Sequence, residues 1–524
     1  MHDLVLRGGR VLDGTGTPAV PADVAVDGGW ITTIGRVDAP ARRVLDAAGA
    51  VVAPGFIDLH SHADYTVFGA PEAATQATQG VTTLVTGNCG FSPFPVVPEH
   101  SAPLRRHAAL GGTDLPWTWR TTGEFLAEVD RLPLGVNLAC LVGHGALRIG
   151  VMGTADAPAG PAELARMREL LREALADGAV GLSSGLIYAP GSFARPAELV
   201  ELCREVADAG KLYTSHIRDE GDGLLGAVAE ALETATSAGA RLEISHLKAI
   251  GPANWGNVAR ALERIETAAR TLDVGADVYP YAASSTTLTS RLPGWALAGG
   301  VPELLRRLAD PAARGEIAAD LDTRVGRTFL PEGVVIAALP DGPYADFVGR
   351  SVADLAAHLG VGTGAAVCAV LREHEGRVAI INHAMDERDV RAALAHPLTA
   401  VASDGHVLAA RPAGEKPHPR SFGTFTRVLG HYAREEGVLG LAEAVRKMTS
   451  LPAARLGWTH RGVLRPGAVA DICVFDPGLV RDHATYADPC RLSSGVRHTL
   501  LAGEPVLADG EQTDLRPGRV LRTS

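Results

Sequence analysis

Six residues of metal-ligating type stand at the ends of short apolar runs. They are His60 and His62 in "FIDLHSH", Cys89 in "VTTLVTGNC", His216 in "LYTSH", His246 in "LEISH" and Asp404 in "TAVASD". Imidazole and thiolate together suit zinc, a borderline-soft ion, far better than magnesium or calcium, which take oxygen ligands. His60 and His62 are two residues apart, so in a strand both rings face the same side. Two imidazoles held side by side repel once protonated and gain from a shared cation. Each residue also has a plainer explanation. A lone strand-end histidine more often bonds a backbone carbonyl, and a lone cysteine such as Cys89 is more often a small buried hydrophobe. Asp404, followed by Gly405, has the composition of a turn or helix cap. Those explanations would have to hold independently at five strand ends, whereas one metal centre accounts for all six residues.

The elements that position these residues repeat. "GAVGLSSGL" (178–186), "GKLYTSH" (210–216), "GARLEISH" (239–246) and "GADVYPY" (275–281) share one layout: a helical stretch, a glycine, then a short apolar strand. Between them, "RPAELVELCREVADAG" and "GLLGAVAEALETATSAG" carry apolar residues at helical spacing and close on glycine. Strands alternating with helices in this way indicate βαβ units and a parallel sheet. "FIDLHSH", "VTTLVTGNC" and "VNLACLVGH" extend the pattern upstream, and "RVAIINHAM" and "PLTAVASDG" extend it downstream. Nine candidates are one too many for an eight-stranded barrel. "RVAIINHAM" is therefore assigned to an insertion, a plausible lid, because residues of about 290–375 break the rhythm. The expected fold is α/β, a (β/α)8 TIM-like barrel, in which strand ends converge on one face and ligands at them lie about 5–10 Å from a common centre. A doubly wound open sheet is the alternative, but no glycine-rich phosphate fingerprint accompanies it.

Both chain ends read as short strands with turns, for example "DLVLRGGRVLD" and "GVLRPGAVADICVFD". They are expected to pair into one small, discontinuous β-sandwich domain. The division is then 1–54 and 461–524 for the sandwich and 55–460 for the barrel. A chain of 524 residues is long enough for two cores, and 46% hydrophobic with 21% charged residues is ordinary for a globular protein. A net charge of −11 argues against a nucleic-acid partner, and no apolar run approaches the roughly 18–20 residues of a membrane span. The start lacks the pattern of a signal segment, and six cysteines at irregular spacing do not make a disulfide framework. A cytoplasmic setting is the expectation; the oligomeric state is left open.

The motifs resemble the amidohydrolase superfamily. Many members bridge two metals with a carboxylated lysine on strand four, but that strand here, "GAVGLSSGLIY", has no lysine and a cysteine stands on strand two. With "GNCGFSP", "VGHGALR", "YTSHIRDE", "ISHLKAIG", "DVYPYAASST", "VASDG" and "HPRSFGTFTRVLG", this combination resembles the N-acyl-D-amino-acid deacylases (D-aminoacylases) over nearly the whole chain. The resemblance implies zinc-dependent hydrolysis of a linear amide. One tight zinc would be held by Cys89, His216 and His246, a second, weaker site by His60 and His62, and Asp404 would be the general base. Lys248, Tyr279, Ser285 and Arg420 would hold the substrate carboxylate, with Tyr188 in "GLIYAPG" also in the substrate-binding set. Taken alone, Lys248 reads as a surface cation, Tyr279 as packing, and Arg420 as the partner of an acid such as Glu415. Two positions depart from the family pattern: His406 follows "SDG" where an apolar residue is usual, and Arg291 replaces a leucine in "TSRLPGW". Arg291 lines an apolar pocket that an acidic substrate side chain would suit, or else it points to solvent. A cyclic-amide, imide or dipeptide hydrolase and a non-catalytic scaffold are the alternatives. The missing strand-four lysine counts against the cyclic-amide reading, and the intact ligand set against the scaffold.

Overall fold

The computed structural model describes residues 1–108, 114–409 and 415–522; the last two residues of the 461–524 segment lie outside it. The chain folds as an α/β protein. Phe56–Asp58, Val81–Thr86 and Asn137–Cys140 form one parallel sheet. Val142–Gly143, Gly181–Gly185, Leu212–His216, Arg241–Ile244, Val274–Val278 and Thr399–Val401 form a second, also parallel, in that spatial order. The run "VNLACLVGH" belongs to both, since its first half pairs with Val81–Thr86 and its second with Gly181–Gly185. At the other edges Ser61 and Gly405 form a parallel bridge.

These strands are buried almost throughout, because helices cover them. Pro196–Asp208 shows why the helices pack: Leu199, Leu202, Cys203 and Val206 are buried at helical spacing, with a proline in the first turn. Leu224–Ala238 stops at Gly239, whose φ of 70° is the left-handed turn that glycine adopts most easily.

"RVAIINHAM" does not join the parallel strands. Ala379–Asn382 is the middle strand of a small antiparallel sheet, between Ser284–Thr287 and Val334–Ala338. That unit has its own core, which includes Leu304, Leu321, Ile336, Val367 and Leu371. It begins before residue 290 and ends after 375, because its two boundary strands pair with each other. Their pairing is non-local and leaves no periodic trace near either boundary.

The chain ends meet in one nine-stranded sheet, where Val51–Pro54 runs antiparallel to Ile472–Phe475. Among the described residues no single helix is long and apolar enough to cross a membrane.

Candidate metal centre

The stretch "GNCG" ends its strand in a tight turn. Gly87, Cys89 and Gly90 have φ of 77°, 55° and 77°. A Cβ on Gly87 would stand 2.0 Å from the Leu141 carbonyl oxygen, and one on Gly90 2.7 Å from the Gly185 nitrogen. Only glycine lets the turn press between its neighbours. His246 (φ 34°) and Asp404 (φ 50°) also occupy the left-handed region at their strand ends. For non-glycine residues that strain is on the order of 1 kcal/mol or more, and it gathers at functional sites.

These turns bring the donors together. Cys89 Sγ lies 3.3 Å from His60 Nε2 and 3.4 Å from His246 Nε2. Asp404 Oδ1 lies 2.9 Å from His62 Nε2 and 3.4 Å from His60 Nε2. Donor atoms of His60, Cys89, His246 and Asp404 all fall within 4.8 Å of one another, and His216, Glu220 and His246 form an overlapping group. The edges of a tetrahedron with zinc-length bonds are about 3.3–3.8 Å. The separations of Cys89 from His60 and His246, and of Asp404 from His60, therefore suit an ion among them, while the shorter His62–Asp404 contact is a hydrogen bond. The strand itself stops at Asp58, so His60 and His62 project from the loop beyond it. Their rings still meet, with centroids 5.6 Å apart.

His216 stacks edge-on against His246 at 4.4 Å. Both its ring nitrogens are buried and neither makes a hydrogen bond. A buried imidazole with neither nitrogen hydrogen-bonded is costly unless an electrophile takes one nitrogen, and the Glu220 carboxylate 3.5 Å from Nε2 adds to the attraction for a cation. The residues present therefore fit a metal ion.

The electrostatics agree. Burial pushes the Cys89 thiol up, but the His60 and His246 rings outweigh it and hold the group well below the usual thiol range. Burial likewise raises Asp404, and Arg420 and His246 outweigh that, keeping it ionised. Burial, aided by the charge of His246, holds His216 below the usual histidine value, which is the neutral form that ligates.

A surrounding layer orients the rings, and sequence reasoning named its Lys248 but missed its acids. Asp277 Oδ2 lies 3.2 Å from His60 Nδ1, while its Oδ1 accepts the His246 backbone N–H at 2.7 Å. Glu220 Oε1 accepts from Lys248 Nζ at 2.5 Å and lies 3.4–3.5 Å from His246 and His216. Lys248 Nζ is in turn 2.6 Å from His246 Nδ1. Asp58 accepts from the Ser403 backbone N–H at 2.9 Å, tying the strand before His60 to the one before Asp404. The available signals were weak: Glu220 stands four residues after His216, and Asp277 lies inside "GADVYPY".

The residues expected to bind substrate line one cavity of about 170 Å³ together with His62, Cys89, His216, His246 and Asp404; His60 lies behind that lining. Lys248 is 3% exposed and pairs with Glu220, so it is no surface cation. Arg420 is also 3% exposed. It donates to Asp404 Oδ2 at 2.7 Å and to the Ser285 carbonyl at 3.3 Å, rather than pairing with Glu415. Tyr279 is buried beneath both cations, its ring centre 5.1 Å from the Arg420 guanidinium and 5.6 Å from Lys248 Nζ. Tyr188 meets the Thr286 hydroxyl at 3.1 Å and lies edge-on to His216. Arg291 reaches the same cavity with its Nε buried and unpartnered. His406 packs by His62, and burial, with His62 and Arg420 beside it, lowers it to about 3.

A carboxylate, a thiolate and imidazoles converging from parallel strands, with cations facing them, define a metal-dependent hydrolytic site. The profile of the Amidohydrolase family matches residues 43–507. Two relatives from Alcaligenes xylosoxydans xylosoxydans align end to end. A D-aminoacylase is 37% identical over 99% of this chain and 97% of its own length. An N-acyl-D-glutamate deacylase is 39% identical over 99% and 96%. The N-acyl-D-glutamate deacylase from Bordetella bronchiseptica, solved with zinc and a phosphonate mimic of the tetrahedral intermediate, superimposes with a TM-score of 0.85 at 37% identity, covering both chains fully. The chain belongs to the amidohydrolase family, in its N-acyl-D-amino-acid deacylase (D-aminoacylase) branch.

Proposed function

We propose that this protein is a zinc-dependent deacylase that hydrolyses N-acyl-D-amino acids to a carboxylate and a free D-amino acid. The observation that carries the reading is the orphaned His216 beside Cys89 and His246, in a chain alike over its full length to enzymes of that activity. Cys89, His216 and His246 would hold the ion tightly, and His60 and His62 a second, weaker one. A bound zinc ion supplies polarisation of the amide carbonyl and acidification of a water.

Asp404, kept ionised by Arg420, takes the water's proton at Oδ1 and returns it to the departing amine. Arg420, Lys248 and Tyr279, with Ser285, face the substrate carboxylate. This anchor fixes which stereoisomer presents its amide to the ligands. Arg291, with an unpaired buried Nε, favours an acidic substrate side chain, which would pair with it. The parallel strands are read as a closed (β/α)8 barrel, supported by the shared run "VNLACLVGH" and the Ser61–Gly405 bridge. The sheet of the chain ends is read as a β-sandwich domain, 1–54 with 461–524, beside a 55–460 barrel. A cytoplasmic location completes the reading.

Zinc content together with rates on N-acetyl-D- and N-acetyl-L-amino acids tests the proposal. Turnover of the D-series alone, with about one tightly bound zinc per chain, is expected. Equal turnover of the L-series, or of cyclic imides only, would overturn it.

A further inference from the structure

A second cavity, of about 270 Å³, adjoins the metal-site cavity and shares Phe91, Ile187, Tyr188 and Thr287 with it. Its interior is apolar, formed by Ile149 on the helix His144–Met152, and by Leu297, Val301 and Leu304 of the inserted unit. The charged groups Arg106, Glu375 and Arg377 also line it, and the last two lie 3.7 Å apart as an ion pair. Phe91 and Tyr188, whose rings are 4.9 Å apart, line both cavities, and Tyr188 also lies 5.1 Å from the His216 ring, which lines the metal-site cavity.

We infer that this cavity receives the acyl chain of the substrate, and that the enzyme prefers medium-length aliphatic acyl groups over acetyl. The inference rests on the deacylase reading of the adjoining site. An N-acyl amino acid with its amide at the ligands has three groups to place, the carboxylate and side chain on the α-carbon and the acyl tail on the carbonyl carbon. The carboxylate is drawn to Arg420 and Lys248, and the side chain to the Arg291 end. The acyl tail is left with the direction past Phe91 and Tyr188, where the cavity lining is aliphatic. A site that met only acetyl would have no use for this volume, whereas each methylene buried in it is worth roughly a fourfold gain.

The test measures kcat/KM for the N-acetyl, N-butanoyl and N-hexanoyl derivatives of one accepted D-amino acid. A rise of at least tenfold from acetyl to hexanoyl is expected. Ile149→Trp and Val301→Trp, on separate elements and outside the lining of the metal-site cavity, should each bring the N-hexanoyl kcat/KM down to the N-acetyl value with zinc content unchanged. A side-chain series, N-acetyl-D-glutamate against N-acetyl-D-leucine, should be unmoved by either variant. Chain-length-independent kcat/KM in the wild type overturns the inference while the deacylase reading stands. A side-chain preference that shifts in both tryptophan variants overturns it too, by assigning the cavity to the amino-acid side chain. Absence of turnover with every N-acyl-D-amino acid overturns both readings.

Discussion

Replacing Asp404 by asparagine keeps the shape of a side chain that His62, Arg420 and His60 all approach, and removes its charge and its basicity. Two losses follow, and they separate. An amide cannot accept the water's proton, and positioned general bases contribute about 10²–10⁴ in rate. The loss should therefore fall on kcat and kcat/KM together, because the missing interaction exists only along the reaction path. The second loss is structural. Arg420 would remain buried without its carboxylate, and removing one partner of such a pair costs about 3–5 kcal/mol. Zinc should stay, since Cys89, His216 and His246 are untouched. The assay is kcat and kcat/KM on an N-acetyl-D-amino acid, with zinc content and thermal inactivation measured on the same sample. Asp404→Asn with Arg420→Met should recover stability, by relieving the unpaired cation, and recover no activity. Near wild-type turnover by the metal-loaded single variant would show that the base lies elsewhere, with His406, neutral and adjacent, as the first residue to examine.

Cys89→Ala should strip the tight zinc and abolish turnover, checked by metal analysis after dialysis; full activity without metal would sink the site assignment. Arg291→Leu should lower kcat/KM for N-acetyl-D-glutamate by about 2 kcal/mol in transition-state terms relative to N-acetyl-D-leucine; an unchanged ratio would remove Arg291 from selection. Away from the site, burial raises Glu198 but His144 and Arg148 outweigh it and hold the carboxyl down to about 2. A depressed carboxyl stabilises the fold above its unfolded value, near 4.5, and that contribution fades as pH falls toward about 2. The unfolding free energy followed from pH 6 to pH 2 should fall further in wild type than in Glu198→Gln, by on the order of 3 kcal/mol. Parallel curves would refute the pairing.

The residues that converge on the candidate metal centre were legible because chemistry and periodicity coincide in the sequence. "HSH", "GNC", "TSH", "ISH" and "ASD" each follow an apolar run, and strand ends on one face of a parallel sheet are a small set of places. Local patterning also exposed the helices, since each buries a stripe that recurs at 3.6 residues. Cys89 stands out from a core cysteine in the sequence only by its company at the strand ends; that Gly87 and Gly90 leave no room for a Cβ beside Leu141 and Gly185 is visible only in the fold. Other features depend on distances between segments that no local pattern encodes. Glu220 and Asp277 act through partners up to 217 residues away, and carboxylates in their motifs have no spacing that distinguishes them from surface acids. Arg420 and Lys248 were placed at the site only by the family resemblance; taken alone they read as surface cations, because charge is local but exposure is not. The inserted unit closes by pairing Ser284–Thr287 with Ala379–Asn382, about a hundred residues on. Residue type and period singled out the groups that could ligate; which acids orient them, and how closely the cations approach them, was decided by the packing of segments that are distant in sequence.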